Sequence, residues 1–554
     1  MRSILRSPGR PWLGAVLAMG ALALAGCGLG SRAAPRTFVW ISGHPAPSFD
    51  PAGPPEPVRA ALLRLLGRGL VEEDSAGRVR PAAAESITVA SDGLQYTFRL
   101  PARLAFVDGT PCRSDDFRAA LVNGLTRTDH ATRAWLLGAV RGVEKVRPGQ
   151  RTAPEVGIET PDPRTLVVHL TRPDSLLLRK LALPGVSMPW RGAAADSERW
   201  GGAVGLGPYR VSREEPGRLL VLARAGGPRS PWSAAPESVT VRFVPGAPRA
   251  LAQLRAGGAD LLWPVPPGLA EYPLPAGYGL VERAATPTRT LLLVMRPDRP
   301  PTAKLEARLA LAHAVNREEL VHALGDSLPG PPWLTGAPPF QFPPFDPDQV
   351  RVMLARGEFG RSLQVLMSYD ADGPAAGVAS LLQGQWAGQG LYIALSALRG
   401  ARLEAELLAG GSHLLLVEHQ PLLDDLSAQL AAIVMPARGP GVGCFRTMWR
   451  TREFDPWIAA RPAPRPPVRR GAHGAAGSGA AASAVAETPV PAGATAPGDL
   501  AARLQQRLAE EMVALPLARL PWRWIERGGP LPVGFHPHYG PQCLADSVRL
   551  GANH

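Results

Sequence analysis

Four short apolar runs in the second half of the chain set the fold class: Thr290–Met295 (TLLLVM), Leu363–Met367 (LQVLM), Tyr392–Leu395 (YIAL) and Leu414–Val417 (LLLV). Each is too short for a core helix and lacks polar alternation, the pattern of a strand covered on both faces. Helical patterns lie between them. Thr302 is placed to cap a helix whose Leu305, Leu309, Ala312 and Val315 share one face, and Pro248 to open one that Gly257 and Gly258 close. Such alternation predicts α/β lobes with mainly parallel or mixed sheets. The 554 residues leave room for roughly two to four packing units. With 45% hydrophobic and 19% charged residues, the chain has material for large cores and is not a wholly disordered one.

The start of the chain reads as an export signal. Arg2, Arg6 and Arg10 precede an apolar run from Trp12 to Ala25 and the string Leu24-Ala25-Gly26-Cys27, which resembles a bacterial lipobox. The run is short for a bilayer span and small residues follow it, as at a secretory signal. Residues 1–27 are therefore expected to be a lipoprotein signal with Cys27 as the lipidation site. That places the chain outside the cell, lipid-anchored at the outer face of the cytoplasmic membrane or in the periplasm. From Arg461 to Gly498, Ala, Gly, Pro and Ser dominate without apolar periodicity, which predicts a disordered insert, followed by a helix over Leu500–Leu515.

The formal net charge of +13 does not imply a nucleic-acid partner. Three positive charges sit in the leader, Arg461, Arg465, Arg469 and Arg470 sit in the insert, and no basic stripe is interleaved with aromatics. Three cysteines remain after Cys27. Cys444 and Cys543 could bridge across the insert, with Cys112 left over, but spacing does not fix the pairing.

An ordered series of motifs then resembles the extracytoplasmic solute-binding proteins of ABC transporters, in the peptide, dipeptide and nickel-binding class. It comprises Ser48–Pro51 after a strand, Gly69-Leu70-Val71, Gly77–Leu100 (GRVRPAAAESITVASDGLQYTFRL), Phe106–Phe117 (FVDGTPCRSDDF), Gly205–Tyr209, Arg308–Arg317 and Phe345–Gly360. Read alone, Asp92-Gly93 is a hairpin turn, Tyr96, Phe98 and Leu100 suit a half-buried strand, and Ser114 can cap a helix carrying Asp115 and Asp116.

The resemblance implies a two-lobed α/β fold with mixed sheets. A discontinuous first lobe would take 35–65, 200–285 and 531–554, with a subdomain over 66–199 inserted into it and a second lobe over 286–530. It further implies a monomer that captures a peptide-like or other organic solute between the lobes and hands it to an ABC permease and its ATPase. The alternative on the same scaffold is a non-transporting receptor or assembly lipoprotein that binds a protein partner.

By the same resemblance the turn with His44, Ala46 and Phe49 faces the cleft. Pro45 and Pro47 there remove hydrogen-bonding capacity, which suits an apolar ligand surface. Peptide-binding members hold the ligand amino group with an acid in a Trp-x-x-Asp-Tyr-like segment. Here that stretch reads VEHQPLLDDLS from Val417 and places Leu422 at the acid. Glu418, His419, Asp424 and Asp425 are the remaining candidate ligand contacts. Glu418 and His419 end an apolar strand, where open α/β sheets bind ligands, whereas Asp424 and Asp425 also read as a solvent-facing helix start.

No metal or cofactor is expected. His536, His538 and Cys543 lie in a Gly- and Pro-rich tail, and His413 and His419 are too far apart on one strand to share an ion. No hydrolase elbow, zinc helix or phosphate loop occurs, so no catalytic residue is assigned. Trp263, Trp386, Trp522 and Trp524 read as core, and Trp40 and Trp457 as pocket candidates.

Overall fold

The computed structural model describes residues 37–52, 56–127, 136–146, 155–192, 199–226, 235–283 (except 267 and 270–271), 289–323, 341–425 (except 361, 372, 374, 400–401, 404, 407–409, 422 and 424), 497–528, 534–536 and 540–542. Cys27, Asp424, Cys444, Trp457, His538, Cys543 and residues 461–496 lie outside them.

Three sheets carry the fold. The first has seven strands in the order β12 (Tyr278–Arg283), β18 (Trp522–Arg527), β11 (Leu261–Leu262), β1 (Thr37–Ser42), β10 (Ser238–Phe243), β9 (Leu219–Arg224) and β8 (Tyr209–Glu215). It is mixed: β1 runs parallel to β10 and β11, and the other pairs are antiparallel. Consecutive Trp40 and Ile41 fall into different core clusters, so both faces of β1 are covered. One face packs Leu62 and Leu65 of α1 (Pro57–Leu66), and the other packs Leu251 and Leu254 of α4 (Ala247–Arg255). Helix α1 starts where Glu56 accepts hydrogen bonds from the Val58 and Arg59 amides, with Pro57 fixing the first turn.

The second sheet is antiparallel, in the order β4 (Ser86–Val89), β5 (Gln95–Arg99), β7 (Thr165–His169) and β6 (Ile158–Asp162). Tyr96 and Phe98 point inward while Gln95 and Arg99 stay exposed, which is one-faced burial at period two. Helices α2 (Ser114–Arg127) and α3 (Leu177–Ala182) supply Phe117, Leu121, Leu177 and Leu181 to that core. A short ladder of β2 (Val71–Glu73) and β3 (Val79–Pro81) packs on α3. Ser114 starts α2 as expected, but its hydroxyl donates to the Asp162 carbonyl at 2.6 Å, and Asp116 accepts from the Arg113 amide.

The third sheet runs β15 (Leu391–Leu398), β14 (Leu363–Asp370), β16 (Leu414–His419), β13 (Arg289–Met295) and β17 (Ala514–Leu520). The four apolar runs are four of its five strands, and β17 is the fifth. β14 is parallel to β15 and β16, whereas β13 is antiparallel to β16 and β17. Every residue from Thr290 to Met295 is buried, as expected of a strand between two layers. Those layers draw on α5 (Leu305–His313), α6 (Arg317–Ala323), α7 (Pro347–Arg356), α8 (Ala375–Ala387) and α9 (Pro497–Glu511), with Trp386 of α8 donating its indole N–H to the Leu311 carbonyl.

Three boundaries differ from the sequence reading. Helix α5 begins at Leu305, because the Thr302 hydroxyl is held by the Arg299 carbonyl in the preceding turn. Helix α9 spans Pro497–Glu511, so it takes in the last two residues assigned to the insert; Met512 then turns at φ 44 and strand β17 begins at Ala514. The return to the first sheet, expected at 531, comes at Trp522, because Trp522–Arg527 pairs with β11 and β12.

Candidate functional site at the crossing strands

Two connections join the seven-stranded and five-stranded sheets. β12 ends at Arg283 and β13 starts at Arg289; β17 ends at Leu520 and β18 starts at Trp522. Only Pro521 separates the second pair, and a residue without an N–H ends a ladder cleanly. Register fixes what surrounds the crossing. In the five-stranded sheet Arg289 faces Leu520, and Thr290 faces both His419 and Arg519. In the other sheet β1 runs beside β11, and the Gly43 amide donates to the Pro264 carbonyl at 3.1 Å. The C-terminal ends of β1, β11 and β16 therefore all lie at the crossing, the usual place for ligands in open α/β sheets.

An aromatic column anchors the first side. Trp40 and Trp263 stack with centroids 5.8 Å apart, Trp263 and Trp522 are also 5.8 Å apart, and the Trp40 indole donates to the Trp263 carbonyl. Trp40 is thus core, not a pocket wall. Residues β19 (Gly534–His536) and β20 (Gly540–Gln542) form a hairpin over this column. A Cβ on Gly540, whose φ is +77°, would come within 2.9 Å of the Trp263 ring, so only glycine lets that backbone approach. His536 is buried there, not a surface residue of the tail.

Arg289 ties the column to the second sheet. Its guanidinium lies 4.0 Å over the Trp522 ring, donates to the Pro521 carbonyl at 2.9 Å and donates to Glu418 Oε1 at 2.7 Å. A partly desolvated cation over tryptophan is worth about 2 kcal/mol, so this contact braces the crossing. The sequence reading missed Arg289, whose only signal was an arginine flanking an apolar strand.

The expected ligand contacts separate here. Phe49 is 5% exposed and packs edge-on against Trp190 and Trp200 at 5.1 and 5.2 Å, so its ring is core, and Ala46 is half-buried against the same core. The prolines in that turn still contribute acceptors, since the Trp200 indole donates to the Pro47 carbonyl. His44 is half-buried at the end of β1, with its amide and carbonyl both bonded to the Ser42 hydroxyl. Glu418 is engaged by Arg289. His419 lies on the opposite face of β16 and is 2% exposed; burial pushes its imidazole down to about 4, so it is neutral at pH 7. Asp425 is half-buried, and Asp424 is outside the described residues.

His413 precedes β16 and accepts from the Leu366 amide through Nδ1 at 2.9 Å, while Leu414–His419 runs extended between it and His419. Among the described residues no cluster of three metal-ligating side chains occurs. An open groove of about 850 Å³ lies along Gln364, Leu366, Gln383, Tyr392, Ala394 and His413. It sits at the starts of β14, β15 and β16, away from the crossing, where strand geometry does not favour a ligand. Among the described residues no helix is long and apolar enough to cross a membrane.

Leu423 lies in the segment after β16. It is fully buried and clusters with Leu176 and Leu183, which flank α3 in the four-stranded unit. This contact joins the segment after β16 to the inserted subdomain.

Comparison with known proteins agrees with this architecture. Residues 78–434 match the model of the bacterial extracellular solute-binding proteins, family 5 middle region. Glutathione-binding protein GsiB of Escherichia coli strain K12 is 24% identical over 377 residues, covering 66% of this chain and 70% of that protein. Among solved structures, Haemophilus influenzae OppA in complex with RPPGFSPFR superposes with a TM-score of 0.70 at 17% identity, covering 92% of this chain and 98% of that one. The Escherichia coli murein tripeptide binding protein MppA gives 0.70 at 17%, covering 92% and 97%.

Proposed function

Because the chain belongs to the family 5 bacterial extracellular solute-binding proteins, we propose that it captures a small peptide-like acid by closing two lobes about the crossing strands. Members of this family bind peptides or similar solutes outside the cell for ABC importers. The observation that carries the reading is the crossing itself: two strand connections, one of a single residue, are braced by Arg289 between Trp522 and Glu418. Such a joint permits rigid-body closure, and a ligand bridging both sheets shifts the population toward the closed form.

The ligand class follows from what the segment after β16 lacks and what a relative binds. By the family resemblance Leu422 stands in the sequence where an acid would be needed for an ammonium, and GsiB is named for glutathione, a tripeptide with two carboxylates. The protein then works as a monomer that presents its closed form to a permease and its ATPase. An anchor on Cys27 belongs to the same reading; full-length chain recovered wholly in the soluble fraction after osmotic shock would remove it.

Small-angle scattering and tryptophan fluorescence test the capture step. Glutathione added to the purified chain should contract the particle and change the emission saturably. If a broad peptide panel including glutathione produces neither change, the capture reading fails.

A further inference from the structure

Arg289 and Arg519 stand at the same end of neighbouring strands but in opposite circumstances. Arg289 is fully engaged. Arg519, on the other face, is half-buried; its Nε is shielded from solvent without a hydrogen-bond partner, and its guanidinium makes no ion pair or ring contact among the described residues. Directly across the ladder from it is Thr290, 0% exposed, whose hydroxyl also has no partner among the described residues. Residues opposite each other in an antiparallel pair hold their Cβ atoms roughly 5 Å apart on one face. His419 continues the row on β16, buried and neutral.

A buried hydroxyl and a shielded guanidinium N–H left unmet are both costly, and here they are adjacent. One acceptor of negative charge meets both, because a carboxylate can accept from an arginine and a hydroxyl together. A neutral imidazole in the row adds no competing positive charge. We infer that Arg519 and Thr290 form an oxyanion subsite at the crossing, which receives a carboxylate of the captured solute. The inference deepens the capture reading by naming the group recognised: an acid of the ligand, held on the second lobe, takes the place of its amine.

The subsite can be tested without the natural solute. In nitrogen-15 spectra of the full mature chain, one arginine Nε–H resonance, absent from Arg519→Gln, should move saturably with sodium acetate. Inorganic phosphate serves as the parallel arm; a response to phosphate alone reassigns the site to a phosphorylated ligand and overturns the carboxylate. Thr290→Val, close to isosteric, should weaken acetate several-fold, and Arg519→Lys, which keeps the charge without the fork, should lie between wild type and Arg519→Gln. A resonance unmoved by either ion, or equal affinity in Thr290→Val, overturns the inference. Scattering with glutathione reads closure separately: contraction that persists undiminished in Arg519→Gln leaves capture standing and sinks the subsite, whereas tenfold weaker glutathione in Arg519→Gln supports both.

Discussion

The inserted four-stranded sheet and the five-stranded sheet each contain an apolar strand ending in histidine, and the two strands meet different fates. β7, Thr165–His169, ends with His169 partly exposed and its Nε2 within 3.3 Å of the Glu159 carboxylate. β16, Leu414–His419, ends with His419 sealed inside. The first sheet buries one face through most of its strands and leaves the other toward solvent, whereas β13, β16 and β17 of the second are covered on both faces. One-faced sheets tolerate charge at every other position; in the two-faced sheet the charges of β13, β16 and β17 are confined to the strand ends, at Arg289, Glu418 and Arg519.

That contrast is sharpest in consecutive substitutions. Leu292→Asp and Leu293→Asp point to opposite faces of β13, both fully buried, and each should cost more than about 4 kcal/mol, enough to unfold the second lobe. In the four-stranded sheet Phe98→Asp should cost as much, but Thr88→Asp, exposed on β4, no more than about 1 kcal/mol. Urea midpoints measure all four. Equal tolerance of Leu292→Asp and Thr88→Asp would erase the distinction between the sheets.

The same distinction explains what the sequence disclosed. Tyr96, Phe98 and Leu100 advertise a half-buried strand by alternation, and Leu291–Val294 advertise a covered one by unbroken apolarity. Neither signal contains register. That Thr290 faces Arg519 and His419 depends on strands more than a hundred residues apart, so the row they form had no local trace, although Glu418 and His419 themselves were marked by ending an apolar run. Phe49 misled for a related reason: position in a family turn says nothing of which way a ring points, and two tryptophans from distant segments draw it inward. The return at Trp522 was missed because a single residue, Pro521, divides β17 from β18, and no loop marks the change of sheet.

Acid should report on the histidine sealed inside the two-faced sheet. The His419 imidazole titrates at about 4 when folded against 6.5 as a reference, so on acidification the unfolded chain takes up the proton first. Its contribution is intact above pH 6.5 and declines as pH falls toward 4, by about 3 kcal/mol in all. Replacing it, as in His419→Gln, should remove that limb from a plot of stability against pH. An unchanged limb in His419→Gln would mean that its burial has no energetic consequence.

The smallest effect concerns an apolar contact that joins the two regions. Leu423 reaches from the end of the two-faced sheet into the leucines around α3, so the inserted unit and the second lobe are clasped before any solute arrives. A buried leucine contributes about 2 kcal/mol, which corresponds to a factor of roughly thirty in an open–closed ratio. Leu423→Ser should therefore leave each sheet folded, with unchanged urea unfolding of the four-stranded unit, while ligand-free scattering shows a larger radius of gyration. It should also weaken glutathione, because more of the free protein must close on binding. If Leu423→Ser leaves the ligand-free radius unaltered, the clasp does not set the spacing of the lobes, and that spacing is set where the strands cross at Arg289 and Trp522.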